Sequence, residues 1–248
     1  MIITKTKEEI AIMREAGRMV AQVLARLEKE AKPGVSTGQL DALAENVIRE
    51  AGGEPAFKGY RGFPASICAS VNEEVVHGIP GKRQLRDGDL FSVDVGVKWK
   101  GFYGDAAATF PVGEVSPGAT ELLTVGREAL EQGILAVQNG KRISDIGYAI
   151  QTYVEANGCS VVRDFVGHGI GSQMHESPQI PNYGAPGSGA RIQPGMTLAI
   201  EPMVNQGDYR VQVLEDGWTV VTLDRSLSVH FEHTIAVTDD GVLVLTQD

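Results

Sequence analysis

The chain repeats itself, weakly but in order. Residues 34–53, GVSTGQLDALAENVIREAGG, resemble residues 140–159, GKRISDIGYAIQTYVEANGC, at a constant offset. That offset matches Gly34 with Gly140, Leu40 with Ile146, Leu43 with Ala149, Val47 with Tyr153 and Gly52 with Gly158. Apolar positions recur at helical spacing in both, and each segment closes on a glycine that signals a helix C-terminus. A second helix-period stretch precedes each, residues 6–30 and 117–138, and the first opens with a Thr6-x-x-Glu9 capping box. Strand-like runs with Gly and Pro punctuation follow both helix pairs. In one, Gly88-Asp89-Leu90-Phe91-Ser92-Val93 leads to Asp94; in the other, Gly195-Met196-Thr197-Leu198-Ala199-Ile200 leads to Glu201 at the same spacing. A later strand in each half supplies another acid, Asp105 or Glu232. This order predicts one α+β domain of two related halves, about residues 1–115 and 116–248, whose facing strands bring four carboxylates to a central pseudo-twofold axis.

Those acids lie in surroundings where an unpaired charge is expensive. The local strings are LFSVDVGV, GDAAATF, LAIEPMV and FEHTIAV, with His168 in a fifth, VGHGIG, and none contains a lysine or arginine. Burying an isolated carboxylate costs several kcal/mol or shifts its pKa until it is neutral. Four carboxylates and an imidazole suit two divalent ions sharing one cluster, which points to a dinuclear metal hydrolase. Each residue has a blander explanation taken alone. Asp105 after Gly104 is ordinary turn chemistry, Glu201 before Pro202 is a plausible strand end, and Glu232 would sit on an edge strand beside His230 and Thr234. Asp94, inside SVDVGV, is harder to dismiss, and the glycine-rich link between it and Asp105 reads as a hairpin that brings the two together. A lone histidine is more often structural than a ligand, but carboxylates around a borderline metal favour an imidazole, which selects His168. His77 and His175 lie in similar loops and read as donors facing substrate or the ligands; alternation turns His233 away from Glu232.

Composition narrows the class. A net charge of −10 argues against nucleic acid as the main partner, because phosphate binding needs a concentrated basic surface. Two cysteines, Cys68 and Cys159, are too few for a disulfide framework and fit a reducing cytosol. The opening MIITKTKEEI lacks the apolar region of a signal peptide, and no apolar run approaches the roughly 18 residues of a membrane span. A cytoplasmic protein is the expectation.

Longer motifs join these residues. Residues 70–80, SVNEEVVHGIP, are followed by VDVG and GDAA, then by GHGIG with HESPQIP, PGM with IEPM, and FEHT. In this order they resemble the type I methionine aminopeptidases, metallopeptidases of family M24 with the pita-bread fold, over nearly the whole chain. The resemblance implies removal of the initiator methionine from nascent Met-X chains with a small second residue, by a cytoplasmic monomer that works near the ribosome surface. It also implies two divalent ions, drawn from Co, Mn, Fe or Zn. Asp105 and Glu232 would bridge them, Asp94 would serve one, and His168 and Glu201 the other. Glu201 would also shuttle the proton, while His77 and His175 would contact substrate and stabilise the tetrahedral intermediate. Tyr60, Phe63, Cys68, Phe165 and Trp218 match positions around the methionine side chain, a polarizable thioether that aromatic and sulfur contacts suit. His230 stands where the family more often has Gln, and Phe57 and Met174 occupy variable rim positions. Two rival readings are an X-Pro dipeptidase or aminopeptidase P, which usually carries an extra N-terminal domain, and a non-catalytic relative, which would have lost ligands.

Overall fold

Helix α1 (Lys7–Glu30) begins where the sequence predicts. The Thr6 hydroxyl accepts from the Glu9 amide and the Glu9 carboxylate from the Thr6 amide, so two otherwise unsatisfied donors are capped reciprocally. Ser36 and Gln39 form the same box at α2 (Thr37–Glu50). In the second half Ser116 caps α3 (Pro117–Leu135), with proline at the first turn, and Asp145 accepts from the Arg142 amide at α4 (Ile143–Ala156). Gly52 and Gly158, after α2 and α4, both adopt positive φ, the left-handed conformation that ends a helix. The computed structural model describes residues 2–247.

The strands come in two series. The first half supplies β1 (Glu54–Pro55), β2 (Ile67–Val71), β3 (Glu74–Val76), β4 (Leu90–Trp99) and β5 (Phe102–Pro111). The second supplies β6 (Ser160–Val161), β7 (Gly167–Gly169), β8 (Glu176–Ile180), β9 (Thr197–Ile200) and β10 (Met203–Asn205). It continues with β11 (Val211–Val213), β12 (Val220–Thr222), β13 (Ser228–His230), β14 (His233–Thr238) and β15 (Gly241–Val244). All pairings are antiparallel. In one sheet β4 pairs with β5 along one edge and with β1 and β2 along the other; in another the order is β15-β14-β9-β7-β8. Two three-stranded sheets, β13-β10-β6 and β11-β12-β3, complete the set.

Each half has its own apolar core. Val20, Val23, Leu27, Leu40, Ile48 and Phe91 belong to the first, and Leu122, Ile146, Ile150, Leu198, Ile200 and Ile235 to the second. Apolar residues three and four apart on each helix face inward, so the helices lie outside the sheets. Helix α1 presses backbone to backbone on β5, where a Cβ on Gly104 would come within 2.9 Å of the Gly17 nitrogen.

The halves are stitched by a seam between β5 and residues 230–234. The Glu232 amide donates to the Ala107 carbonyl at 2.8 Å. On either side a threonine hydroxyl stands in for a backbone partner. Thr234 Oγ1 accepts from the Asp105 amide at 3.1 Å and donates to its carbonyl at 2.7 Å, and Thr109 Oγ1 does the same with His230, at 2.9 and 3.0 Å. Asp105 and Glu232 therefore occupy corresponding places on the two sides of the seam.

Candidate active site

Asp94 and Asp105 are set by the β4–β5 hairpin. Its two-residue loop, Lys100-Gly101, has positive φ at both positions, the geometry whose twist matches two flanking strands. The register puts Asp94 opposite Ala107 and Asp105 opposite Gly96, so the two acids are diagonal neighbours on one face. In the second half the register differs: Ile200 pairs with His233, so Glu201 and Glu232 follow and precede the last pair of the β9–β14 ladder. His168 sits in β7 beside β9, opposite Ala199.

These five residues line one cavity. Ligand-capable atoms of Asp105, His168 and Glu232 lie within 4.8 Å of one another, all three residues being buried. His168 Nε2 is 3.5 Å from Glu201 Oε1, and His230 Nε2 is 3.8 Å from Glu201 Oε2. Among the described residues Asp94 Oδ1, Asp105 Oδ1 and Glu232 Oε1 are buried without a hydrogen-bond partner. No lysine or arginine there forms an ion pair with these acids. Burial, and then the charges of neighbouring acids, pushes Asp105, Glu201 and Glu232 well above the usual carboxylate range; burial raises Asp94 too. Orphaned buried acceptors, mutually repelling acids and one imidazole are what a divalent cation resolves, so the donor set fits metal binding.

The histidines are held neutral. Burial, then the charges of His168, Arg61 and His77, brings His175 down to about 3. Burial and His77 do the same to His230, also to about 3, and burial lowers His77 and His168. The His175 ring lies 4.2 Å from that of His168, and its Nδ1 is 2.9 Å from the Tyr60 hydroxyl. His77 adopts positive φ, uncommon for a non-glycine residue, directly after β3. His233 turns away from the cluster, with Nδ1 2.8 Å from the Thr246 hydroxyl.

The cleft has two lobes that share Arg61, His77, Asp94, His175 and Glu201. The first, a cavity of about 140 Å³, is walled by Phe57, Tyr60, Phe63, Cys68, Met174 and Trp218. Phe63 and Trp218 meet edge to face at 5.1 Å. Burial and the nearby acids raise the Cys68 thiol, so it stays protonated. Phe165 is not in this group. It lies across His77, ring centroids 5.5 Å apart, and lines the second lobe with Val76, Asp164, Val166, Met203 and His230. Sequence reasoning missed Arg61, which borders both lobes and stacks over Tyr60. It also missed Asn182, fully buried, whose Nδ2 donates to the Glu201 carbonyl at 3.0 Å; its place in PQIPNY was the one available signal.

Two facing α+β halves with a buried acid-and-imidazole cluster between them define a pita-bread metallohydrolase. The profile of metallopeptidase family M24 matches residues 11–239, and the chain belongs to that family. Over 247 residues it is 55% identical to methionine aminopeptidase 1 of Bacillus subtilis (strain 168), with 100% of both chains covered. The crystal structure of methionine aminopeptidase from Thermotoga maritima superposes with a TM-score of 0.99 at 49% identity, again over 100% of both chains. A prolidase from Pyrococcus furiosus has a TM-score of 0.80 at 22% identity, covering 99% of this chain and 66% of that one, a likeness of fold alone.

Proposed function

We propose that this chain removes the N-terminal methionine from polypeptides whose second residue is small, by metal-assisted hydrolysis of the first peptide bond. One observation carries the reading: the acid-and-imidazole cluster opens directly onto an apolar, aromatic and sulfur-lined lobe. Such a lobe suits an unbranched thioether, while the second lobe leads the remaining chain past Phe165 and His230.

Two divalent ions, from among Co, Mn, Fe and Zn, would balance the four carboxylates. Asp105 and Glu232 would serve both, Asp94 one, and His168 with Glu201 the other. Bound there, such ions supply Lewis acidity and a water that ionises near neutral pH. Glu201, within reach of two neutral imidazoles, takes the proton of the attacking water and returns it to the leaving amine. The Tyr60 hydroxyl lies 2.9 Å from Nδ1 of His175; in the tautomer protonated on Nε2 the hydroxyl donates to Nδ1 and Nε2 donates to the developing oxyanion. His77, at the junction of the lobes, holds the peptide across them.

The reading carries with it a cytoplasmic, monomeric enzyme acting on nascent chains, with the ribosome surface as a partner. The free thiols of Cys68 and Cys159 fit a reducing compartment, and among the described residues no helix is long and apolar enough to cross a membrane. A comparison of Met-Ala-Ser with Ala-Pro peptides tests the specificity. Release of methionine alone is the expected result, whereas cleavage of Ala-Pro in preference would replace this reading with an X-Pro peptidase.

A further inference from the structure

We infer that Lys5 and Glu176 form a buried pair that positions His175, an inference resting on the reading of His175 as a group that faces substrate. Lys5 lies in the segment before α1, and Glu176 opens β8 immediately after His175. Their side chains are 4% and 5% exposed. Lys5 Nζ donates to Glu176 Oε2, and to the Ile3 carbonyl at 2.9 Å. The other carboxylate oxygen, Oε1, accepts from the Gln173 amide at 3.1 Å and lies 3.5 Å from the Ser172 hydroxyl. One carboxylate thus ties the turn at residues 171–175 to the segment ahead of α1.

Two glycines make room for the arrangement. A Cβ on Gly171 would lie 2.2 Å from Lys5 Cε and 2.7 Å from Glu176 Oε1. A Cβ on Gly195 would lie 2.9 Å from Thr4 Cβ, and there the Lys5 amide donates to the Gly195 carbonyl at 2.7 Å. The near end of the turn is fixed by β7, which carries His168, and by the Tyr103 amide, which donates to the Gly171 carbonyl at 2.9 Å. At the far end β8 pairs with β7, Glu176 opposite Gly169, and the His175 ring meets Tyr60. The ladder fixes the backbone there, and the Lys5 contact holds the Glu176 carboxylate that ties back to the Gln173 amide. Apolar residues of similar volume stabilise an interior as well as a buried ion pair does. What this pair adds is a directional anchor, and Lys5 and Glu176 are accordingly positioning residues.

The test compares wild type with Lys5→Met, Lys5→Arg and the double variant Lys5→Met/Glu176→Gln, which leaves no buried charge unpaired and so keeps a folded reference. Turnover of Met-Ala-Ser is measured beside ion affinity by titration calorimetry and folding by near-ultraviolet circular dichroism. In Lys5→Met and in the double variant kcat should fall about a hundred-fold, the cost of a misplaced catalytic group, with KM and ion affinity little changed; Lys5→Arg should recover most of the rate. An unchanged kcat in the folded double variant, with only a lower Tm, would overturn the inference. So would a loss of ion affinity in step with kcat, which would place the effect at His168 instead. The wild-type rate separates the two levels: no cleavage by wild type sinks the aminopeptidase reading and this inference with it, whereas cleavage with unaffected variants sinks the inference alone.

Discussion

In the proposed reaction Glu201 answers two demands at once, as a member of the acid cluster and as the proton carrier, and it lies next to two neutral imidazoles. Glu201→Gln keeps the shape and one oxygen but abolishes proton transfer. It should leave a folded protein with turnover down about a hundred- to ten-thousand-fold, measured as methionine release beside a circular dichroism spectrum; near-normal kinetics would remove Glu201 from the chemistry. His175→Ala should lower kcat about a hundred-fold or more while metal content stays near wild type, and loss of metal instead would make His175 a ligand. The residues brought together in the cluster were legible because an acid in LAIEPMV or SVDVGV contradicts its neighbours. Thr109, Thr234 and Asn182 gave no such contradiction, since threonine in a strand and asparagine in a loop are ordinary. Phe165 had no sequence mark to tell which side of His77 it would take.

At the scale of elements, the paired helices, the Thr6 capping box, the glycines that close α2 and α4 and the hairpin between Asp94 and Asp105 followed from local pattern, because helix periodicity, capping boxes and turn chemistry act over a few residues. Register did not. The repeat implies equivalent strand pairs, yet Asp94 and Asp105 are diagonal across β4–β5 while Glu201 and Glu232 flank the end of β9–β14. Contacts between the halves are likewise something that no single segment encodes. The threonine seam is the clearest of these. Thr234→Val removes a hydroxyl that satisfies both backbone groups of Asp105. It should cost about 2 to 4 kcal/mol, two buried groups losing partners, and weaken ion binding because Asp105 is no longer held in place. Denaturant midpoints and a metal titration would check this; unchanged values in both would show that the seam does not fix Asp105.

For the whole molecule, the site makes stability depend on pH in opposite ways with and without ions. In the ion-free protein Asp105, Glu201 and Glu232 are raised by burial, so the folded chain keeps protons that the unfolded chain releases above about pH 4.3. Their contribution therefore declines as pH rises. All five histidines are lowered instead, so below about pH 6.5 the unfolded chain takes up protons that the folded chain refuses, and stability is lost as pH falls. The two trends oppose each other between those values, and above neutrality the carboxyl trend is left, in the same direction as that of the raised Cys68 thiol. The Tm of ion-free protein should accordingly fall as pH rises above neutrality, while ion-loaded protein resists the fall because binding needs deprotonated ligands. A rising Tm in the ion-free protein would mean that these acids are already ionised when buried. The central claim, that a metal cluster beside a thioether-sized lobe releases N-terminal methionine, is tested most directly by stripping the protein of metal and titrating Mn, Co or Fe against Met-Ala-Ser. Metal-dependent release of free methionine, with a chain beginning Met-Lys left intact, is the predicted result; no release with any of these ions would contradict it.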